Sequence, residues 1–189
     1  MTSLERQPEA SGSSDSELIA RAKDGDGAAF AALYERFADS VYRHILYRTG
    51  NRADSEDLTQ QTLINAWQAI GRYQVTQVPF VAWLIAIAQN VIVSYLRRRR
   101  QHEPLELDPP FVDTEPEPQE LAERSFTKEA VRQAVRKLPS EQQQVVVMRY
   151  LDDLDYSVIA KAMGKTENNV RVIAHRGLKH LQDHLEDAR

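Results

Sequence analysis

Cysteine is absent from these 189 residues. Disulfides and thiolate metal sites are thereby excluded, and the composition suits a reducing compartment such as the cytoplasm. Glycine is scarce, with seven residues, and neither a Gly-rich phosphate loop nor a nucleophile elbow occurs. No apolar run is expected to approach the length of a membrane span. The opening stretch MTSLERQPEASGSSDSE lacks the apolar segment of a signal peptide, so 1–14 is expected to be a short disordered lead-in. Strand signals are missing as well: no segment sustains alternation, and there is no internal repeat. Helical periodicity fills the chain instead, and the expected fold class is all-α.

Net charge is -4, which at first sight disfavours a nucleic-acid partner. Its distribution removes that objection. Residues 103–123 hold eight acids and no base, whereas 1–102 carries 12 basic and 11 acidic residues and 125–189 carries 11 and 9. Five of the eight prolines fall in the same acidic strip: Pro104, Pro109, Pro110, Pro116 and Pro118. Such a segment cannot bury a core and should be extended. It is read as a linker, 103–123, between two small helical domains, 15–102 and 124–189. Each domain is nearly neutral, so the overall charge does not count against DNA.

The first domain is expected to hold four helices. A short one spans about Ser16 to Lys23 and breaks at Asp24-Gly25-Asp26-Gly27. The second, from Ala28 to about Tyr47, repeats Phe30, Leu33, Tyr34, Phe37, Val41, Tyr42 and Ile45 at steps of 3 and 4. The third runs from Ser55 to about Ile70, with Asp54 as N-cap. Its apolar residues are Leu58, Leu63, Ala66, Trp67 and Ile70, and Glu56, Asp57, Gln60, Gln61 and Asn65 form a polar face. After a short connection and Pro79, the fourth runs from Phe80 to about Arg100 and ends in four consecutive arginines. Arginines suit a helix C-terminus, and four together also make a phosphate-binding patch.

In the second domain a helix runs from near Glu120 to Lys137, followed by three more. Ser140 and Gln143 are spaced as a capping box. Asp155 is placed to cap a short helix, about Tyr156 to Met163, which Gly164 ends. Thr166 caps a last helix to about Leu185. A short helix, a glycine turn and a longer helix make a helix-turn-helix. Val170, Ala174, Leu178, Leu181 and Leu185 are expected to face inward. Asn168, Asn169, Arg171, Val172, His175, Arg176 and Lys179 then point outward, where amides pair with adenine edges and Arg with guanine or phosphate. The competing account is a solvated surface on an ordinary helical hairpin.

Three stretches together resemble an extracytoplasmic-function (ECF) sigma factor of bacterial RNA polymerase. DSEDLTQQTLINAW (54–67) resembles region 2.2, and GRYQVTQVPFVAWLIAIAQNVIVSYLRRRR (71–100) resembles regions 2.3 and 2.4. LPSEQQQVVVMRYLDDLDYSVIAKAMGKTENNVRVIAHRGLKHL (138–181) resembles region 4. The resemblance covers about 16 to 185. It implies a sigma region 2-like domain, a sigma region 4-like domain, and a protein that directs promoter-specific initiation without being an enzyme or holding a cofactor. Core RNA polymerase, promoter DNA and an anti-sigma factor are the implied partners. Glu56, Asp57, Gln60, Gln61 and Asn65 would dock on the polymerase clamp. Arg72, Tyr73, Gln74, Asn90, Arg97 and Arg98 would serve the -10 element, with Tyr73 as the one aromatic available to a flipped base. The last helix, from Thr166 through Lys179, would read the -35 element. The chain departs from the family in lacking basic residues near Ala86 and Gln89, an acid near Ser94 and an Arg near Ile173.

Two other readings compete. One is a one-component regulator that binds duplex DNA through the helix-turn-helix and acts without polymerase. The other is an enzyme with a metal site, for which His180 and His184 at i, i+4 are the available pair, although no HExxH pattern surrounds them.

Overall fold

The structure is a computed structural model. It describes residues 14–75, 78–102 and 119–186, and the side chains of these except 100–102 and 119–127. The expected lead-in up to residue 13, linker residues 103–118 and the Arg100 side chain lie outside the described residues. Among the described residues, eight α-helices follow in order: α1 Asp15–Lys23, α2 Gly27–Thr49, α3 Arg52–Ala69, α4 Phe80–His102, α5 Gln119–Lys137, α6 Ser140–Val146, α7 Tyr156–Met163 and α8 Glu167–Glu186. A 3-10 turn, Ile70–Arg72, closes α3, and a π-helical turn, Val147–Leu151, closes α6. No strand occurs among the described residues. The all-α expectation holds. Helix α5 begins at Gln119, so 119–123 of the expected linker are helical.

Local chemistry sets the helix ends. The Ser14 hydroxyl accepts the Glu17 N–H and opens α1. The Asp26 carboxylate accepts the N–H groups of Ala28 and Ala29 and opens α2. Gly50, at φ 69°, ends α2 in the left-handed region, where glycine carries no Cβ penalty. Two capping expectations are corrected. Helix α3 begins three residues early, because Asn51 accepts the Asp54 N–H at 3.0 Å. The Asp54 carboxylate is engaged elsewhere, accepting the Tyr95 hydroxyl of α4 at 2.6 Å. Ser140 makes no capping bond to Gln143, and the backbone of Pro139 starts α6.

The first core gathers Leu18, Ile19, Leu33, Val41, Ile45, Leu58, Leu63, Phe80, Leu84 and Ile92 from α1 to α4. The buried side of α3 is partly hydroxylic. Ser55, Thr59 and Thr62 are buried and donate to the carbonyls four residues back. The second core holds Val145, Met148, Leu154, Ile159, Val170, Ile173 and Ala174, together with Ala82 and Ile85 of α4. Helix α4 therefore lies between the two cores and feeds both. This explains its hydropathy: Phe80–Arg99 is long and apolar enough to span a membrane by length and composition, contrary to expectation. Ala82, Leu84, Ile85, Ala88, Val91 and Ile92 of this stretch are buried in the two cores.

Candidate functional site

The helix-turn-helix is built by α7, Gly164 and α8. Gly164 has φ 62°, and a Cβ there would meet nothing within 4 Å. Glycine is needed for the turn's backbone, not for space. Thr166 caps α8, its hydroxyl accepting the Asn169 N–H at 3.3 Å. The buried row of α8 is Val170, Ile173, Ala174 and Gly177. Leu178, expected inside, is 38% exposed. The reason is Gly177: a Cβ on it would lie 2.8 Å from Val146 Cγ2. The line of closest approach to α6 thus runs through residue 177, and Leu178 is turned outward.

Thr166, Asn168, Asn169, Arg171, Val172, His175, Arg176 and Lys179 are all exposed. Their steps of 3 and 4 place the helical ones in one broad outward band. Arg171 is held within it. Its guanidinium pairs with Glu167 one turn back and lies 4.5 Å from the centroid of the Tyr156 ring. Arg149 approaches the same ring at 5.1 Å. His180, one of the two candidate metal ligands, has Nδ1 2.8 Å from Gln142 Oε1.

On α3, Glu56, Asp57, Gln60 and Gln61 are exposed, and the Gln61 amide donates to Asn65 Oδ1 at 2.8 Å. The sequence reading missed the apolar neighbours of this row. Ile64 is 52% exposed, and Trp67, expected in the core, is 37% exposed with its ring against Phe30. The signal was there, since Ile64 stands four residues after Gln60 and three after Gln61.

The residues named for a single strand are not gathered into one place. Arg72 and Gln74 are exposed at the start of the connection to α4, Asn90 is exposed midway along α4, and Arg97 and Arg98 are exposed near its end. At 1.5 Å per residue, the arginines sit about 25 Å from the N-terminus of α4. Tyr73 departs from expectation. It is 3% exposed, its ring packs on Phe80 and Trp83, and its hydroxyl donates to the Val78 carbonyl at 2.8 Å. Burial pushes its phenol pKa up. The ring pins the connection to the core and offers no open face to a base. Near the arginine cluster, burial and the Asp54 carboxylate push the Tyr95 phenol up to about 12. Arg99 donates to its hydroxyl at 3.3 Å.

Between the two units lies a seam that periodicity did not reveal. His44 is fully buried on α2, with Nδ1 2.7 Å from Asp152 Oδ2 just past the π-helical turn. Arg48, one turn on, donates to the Ser140 carbonyl at 2.8 Å and to its hydroxyl at 3.4 Å. Burial pulls the Arg48 pKa down to about 10. The Gln143 N–H that Ser140 was expected to cap goes to the Pro139 carbonyl at 2.9 Å instead. Beside the seam, Ala86, Gln89 and Asn90 of α4 face Gln144, Met148 and Met163 across a cleft of about 360 Å³. The missing family charges fit this geometry: Ala86 and Gln89 line the cleft, and Ile173 is buried in the second core.

Comparison with known proteins places both units. The model of Sigma-70 region 2 matches residues 33–102, and that of Sigma-70, region 4 matches residues 128–181. The ECF RNA polymerase sigma factor BldN of Streptomyces coelicolor is 35% identical over 175 residues, covering 90% of this chain and 66% of that protein. SigE of Mycolicibacterium smegmatis, also an ECF RNA polymerase sigma factor, is 34% identical over 167 residues, covering 85% and 64%. The chain thus spans just under two thirds of the length of both relatives. Among solved structures, CnrH in complex with the cytosolic domain of CnrY matches with a TM-score of 0.70 at 20% identity, over 93% of this chain and 99% of that one. That likeness concerns the fold.

Proposed function

This chain belongs to the sigma-70 family of RNA polymerase sigma factors, in its ECF branch, and from that premise we propose that it directs promoter-specific transcription initiation. It binds core RNA polymerase and carries it to promoters with matching -10 and -35 elements. The observation that carries this is the pairing, in one chain, of an exposed band on α8 with a polar face on α3 edged by exposed Ile64 and Trp67. A regulator acting on duplex alone needs the first and has no use for the second.

The roles divide by surface. Glu56, Asp57, Gln60, Gln61 and Asn65 dock on polymerase, with Ile64 and Trp67 adding apolar area. Arg72, Gln74, Asn90, Arg97 and Arg98 line the path of the separated -10 strand, with Tyr73 fixing the loop from beneath. Asn168, Asn169, Arg171 and Val172 meet base edges of the -35 element, while His175, Arg176 and Lys179 meet phosphate or groove edges. In this reading 15–102 is the polymerase and -10 unit, the -35 unit begins with α5 at Gln119, and the segment before it is the connector. The work is binding rather than catalysis, needs no cofactor and takes place in the cytoplasm, with an anti-sigma factor as the regulatory partner.

Transcription in vitro decides the matter. Purified core polymerase and a library of promoters varied at both elements should yield initiation only when the chain is present, and only from a subset sharing both elements. The free chain should bind promoter duplex weakly, since two nearly neutral units offer little counterion release. Tight, specific duplex binding at physiological salt, with no gain from core polymerase, would establish the one-component regulator instead.

A further inference from the structure

Arg171 is an unusual base reader, because it is not a free side chain before DNA arrives. It is 57% exposed, yet its guanidinium lies over the Tyr156 ring at 4.5 Å and against the Glu167 carboxylate. The ring comes from the other helix of the motif: Tyr156 is the first residue of α7, and Arg171 lies in the second turn of α8. Tyr156 is itself fixed. Its hydroxyl is 3.2 Å from that of Tyr150, at the π-helical turn. Arg149 lies 5.1 Å from its ring centroid, and Arg149 in turn donates to the Leu154 carbonyl at 3.1 Å.

We propose that Tyr156 is a positioning residue for -35 recognition, whose ring face holds the Arg171 guanidinium in the orientation that meets a base edge. The proposal rests on the reading of α8 as the -35 helix and names how one of its readers is oriented. A long arginine otherwise has much rotamer entropy to lose on binding. Stacking on an aromatic plane removes part of that loss in advance, and a planar fork must be well aimed to make two bonds to guanine. Glu167 alone cannot do this. As a carboxylate in the first turn of a helix facing DNA it is repelled by phosphate, so its hold weakens as DNA approaches. The neutral ring keeps its hold.

The test compares Tyr156→Leu, which removes the ring, with Tyr156→Phe, which keeps the π face and loses the hydroxyl. The full chain with core polymerase would be scored on promoters randomised at the -35 element, beside Arg171→Ala and the double variant. Exposed cation–π contacts imply that Tyr156→Leu lowers discrimination about two- to fivefold at the positions that Arg171→Ala affects. Tyr156→Phe should keep the parent's discrimination, and Tyr156→Leu should add nothing further in the Arg171→Ala background. In the free chain, the Arg171 Nε–H resonance should lose its ring-current shift in Tyr156→Leu and keep it in Tyr156→Phe. Parental preferences in Tyr156→Leu would overturn the proposal. So would equal losses in Phe and Leu, which would give the role to the hydroxyl, or unaltered preferences in Arg171→Ala. Loss of discrimination at every position with an early thermal transition would mean that Tyr156 only supports the fold. Absence of promoter-dependent initiation by the parent would sink the sigma-factor reading itself, and an unmoved Nε–H resonance in Tyr156→Leu would separately sink the ring's hold on Arg171.

Discussion

The two helices proposed to meet DNA, α8 and α4, are built on opposite plans. Helix α8 buries one row, Val170, Ile173, Ala174 and Gly177, and turns a polar band outward. Helix α4 buries residues toward both neighbours: Leu84, Ala88, Val91 and Ile92 enter the first core, while Ala82 and Ile85 enter the second. Its midpoint, at Gln89 and Asn90, faces α6 and α7 across the cleft. An outward band can be altered without disturbing the fold. A helix shared by two cores cannot. Changes on the outward band of α8 should therefore alter what is read, and changes at the buried positions of α4 should alter what is folded and how the units are joined.

The largest expected effect tests that asymmetry directly. Ile85→Ala empties a fully buried site in the second core and should cost about 2–5 kcal/mol. Val172→Ala, on the open band of α8, should stay within about 0.5 kcal/mol of the parent. Chemical denaturation measures both, and comparable losses would dissolve the contrast. Next in size is the seam. Asp152→Ala leaves His44 buried with neither ring nitrogen bonded, because Nε2 already has no partner. The lost bond to a charged group should cost about 1.5–3 kcal/mol. Small-angle scattering of the variant should show a larger radius of gyration as the units part. An unchanged radius with unchanged stability would mean that the apolar residues of α4 join the units without help from the His44–Asp152 pair.

The asymmetry also explains which features could be read from the amino acids. Helix α8 was legible because each turn repeats one division of apolar and polar residues, and Gly164 and Thr166 mark its start by local chemistry. Val170 and Ala174 of its inward row are buried as expected, and only Leu178 was misplaced, since a glycine at 177 looks like a gap and is in fact the point of closest approach. The polar look of α3 hid a buried hydroxyl row that satisfies itself on the helix's own carbonyls. The seam was beyond any local pattern. His44 and Asp152 are 108 residues apart, and a π-helical turn, which leaves no spacing signal, brings Asp152 to the contact. Ser140 and Asp54 carried good capping signals. Each lies inside its helix, where Pro139 and Asn51 start the turn, and each side chain instead meets a distant partner, Arg48 in one case and Tyr95 in the other. Tyr73 looked like the aromatic for a base because its burial depends on where Phe80 and Trp83 lie.

On the open side, Arg171→Ala should leave the thermal transition near the parent's, since the side chain is mostly exposed. It should lower discrimination at one or two -35 base pairs by about 1–3 kcal/mol. The measurement is initiation by the polymerase complex across single-base -35 variants. A shift in stability with no shift in preference would move Arg171 from the reading band to the framework, and α8 would then resemble α4 more than the contrast allows.

The smallest expected effect divides α8 within itself. Lys179 is eight residues beyond Arg171, about 12 Å farther along the axis at 1.5 Å per residue. A helix that enters the major groove by its N-terminal end has left the base edges by that distance and runs beside the phosphates. Lysine is also a point charge on a flexible stem, suited to a phosphate and poorly suited to a two-bond match with a base. Lys179→Ala should therefore weaken initiation from all -35 sequences by a similar factor, with their order unchanged. The other phosphate contacts of the complex are common to parent and variant, so they cancel in the difference of salt dependence. The slope of log K against log salt should become shallower by about 0.9, the value for one released counterion on duplex DNA. A changed order of preferred sequences would place base reading as far along as Lys179. An unchanged slope would place Lys179 in solvent, and the clamping part of the band would end before it.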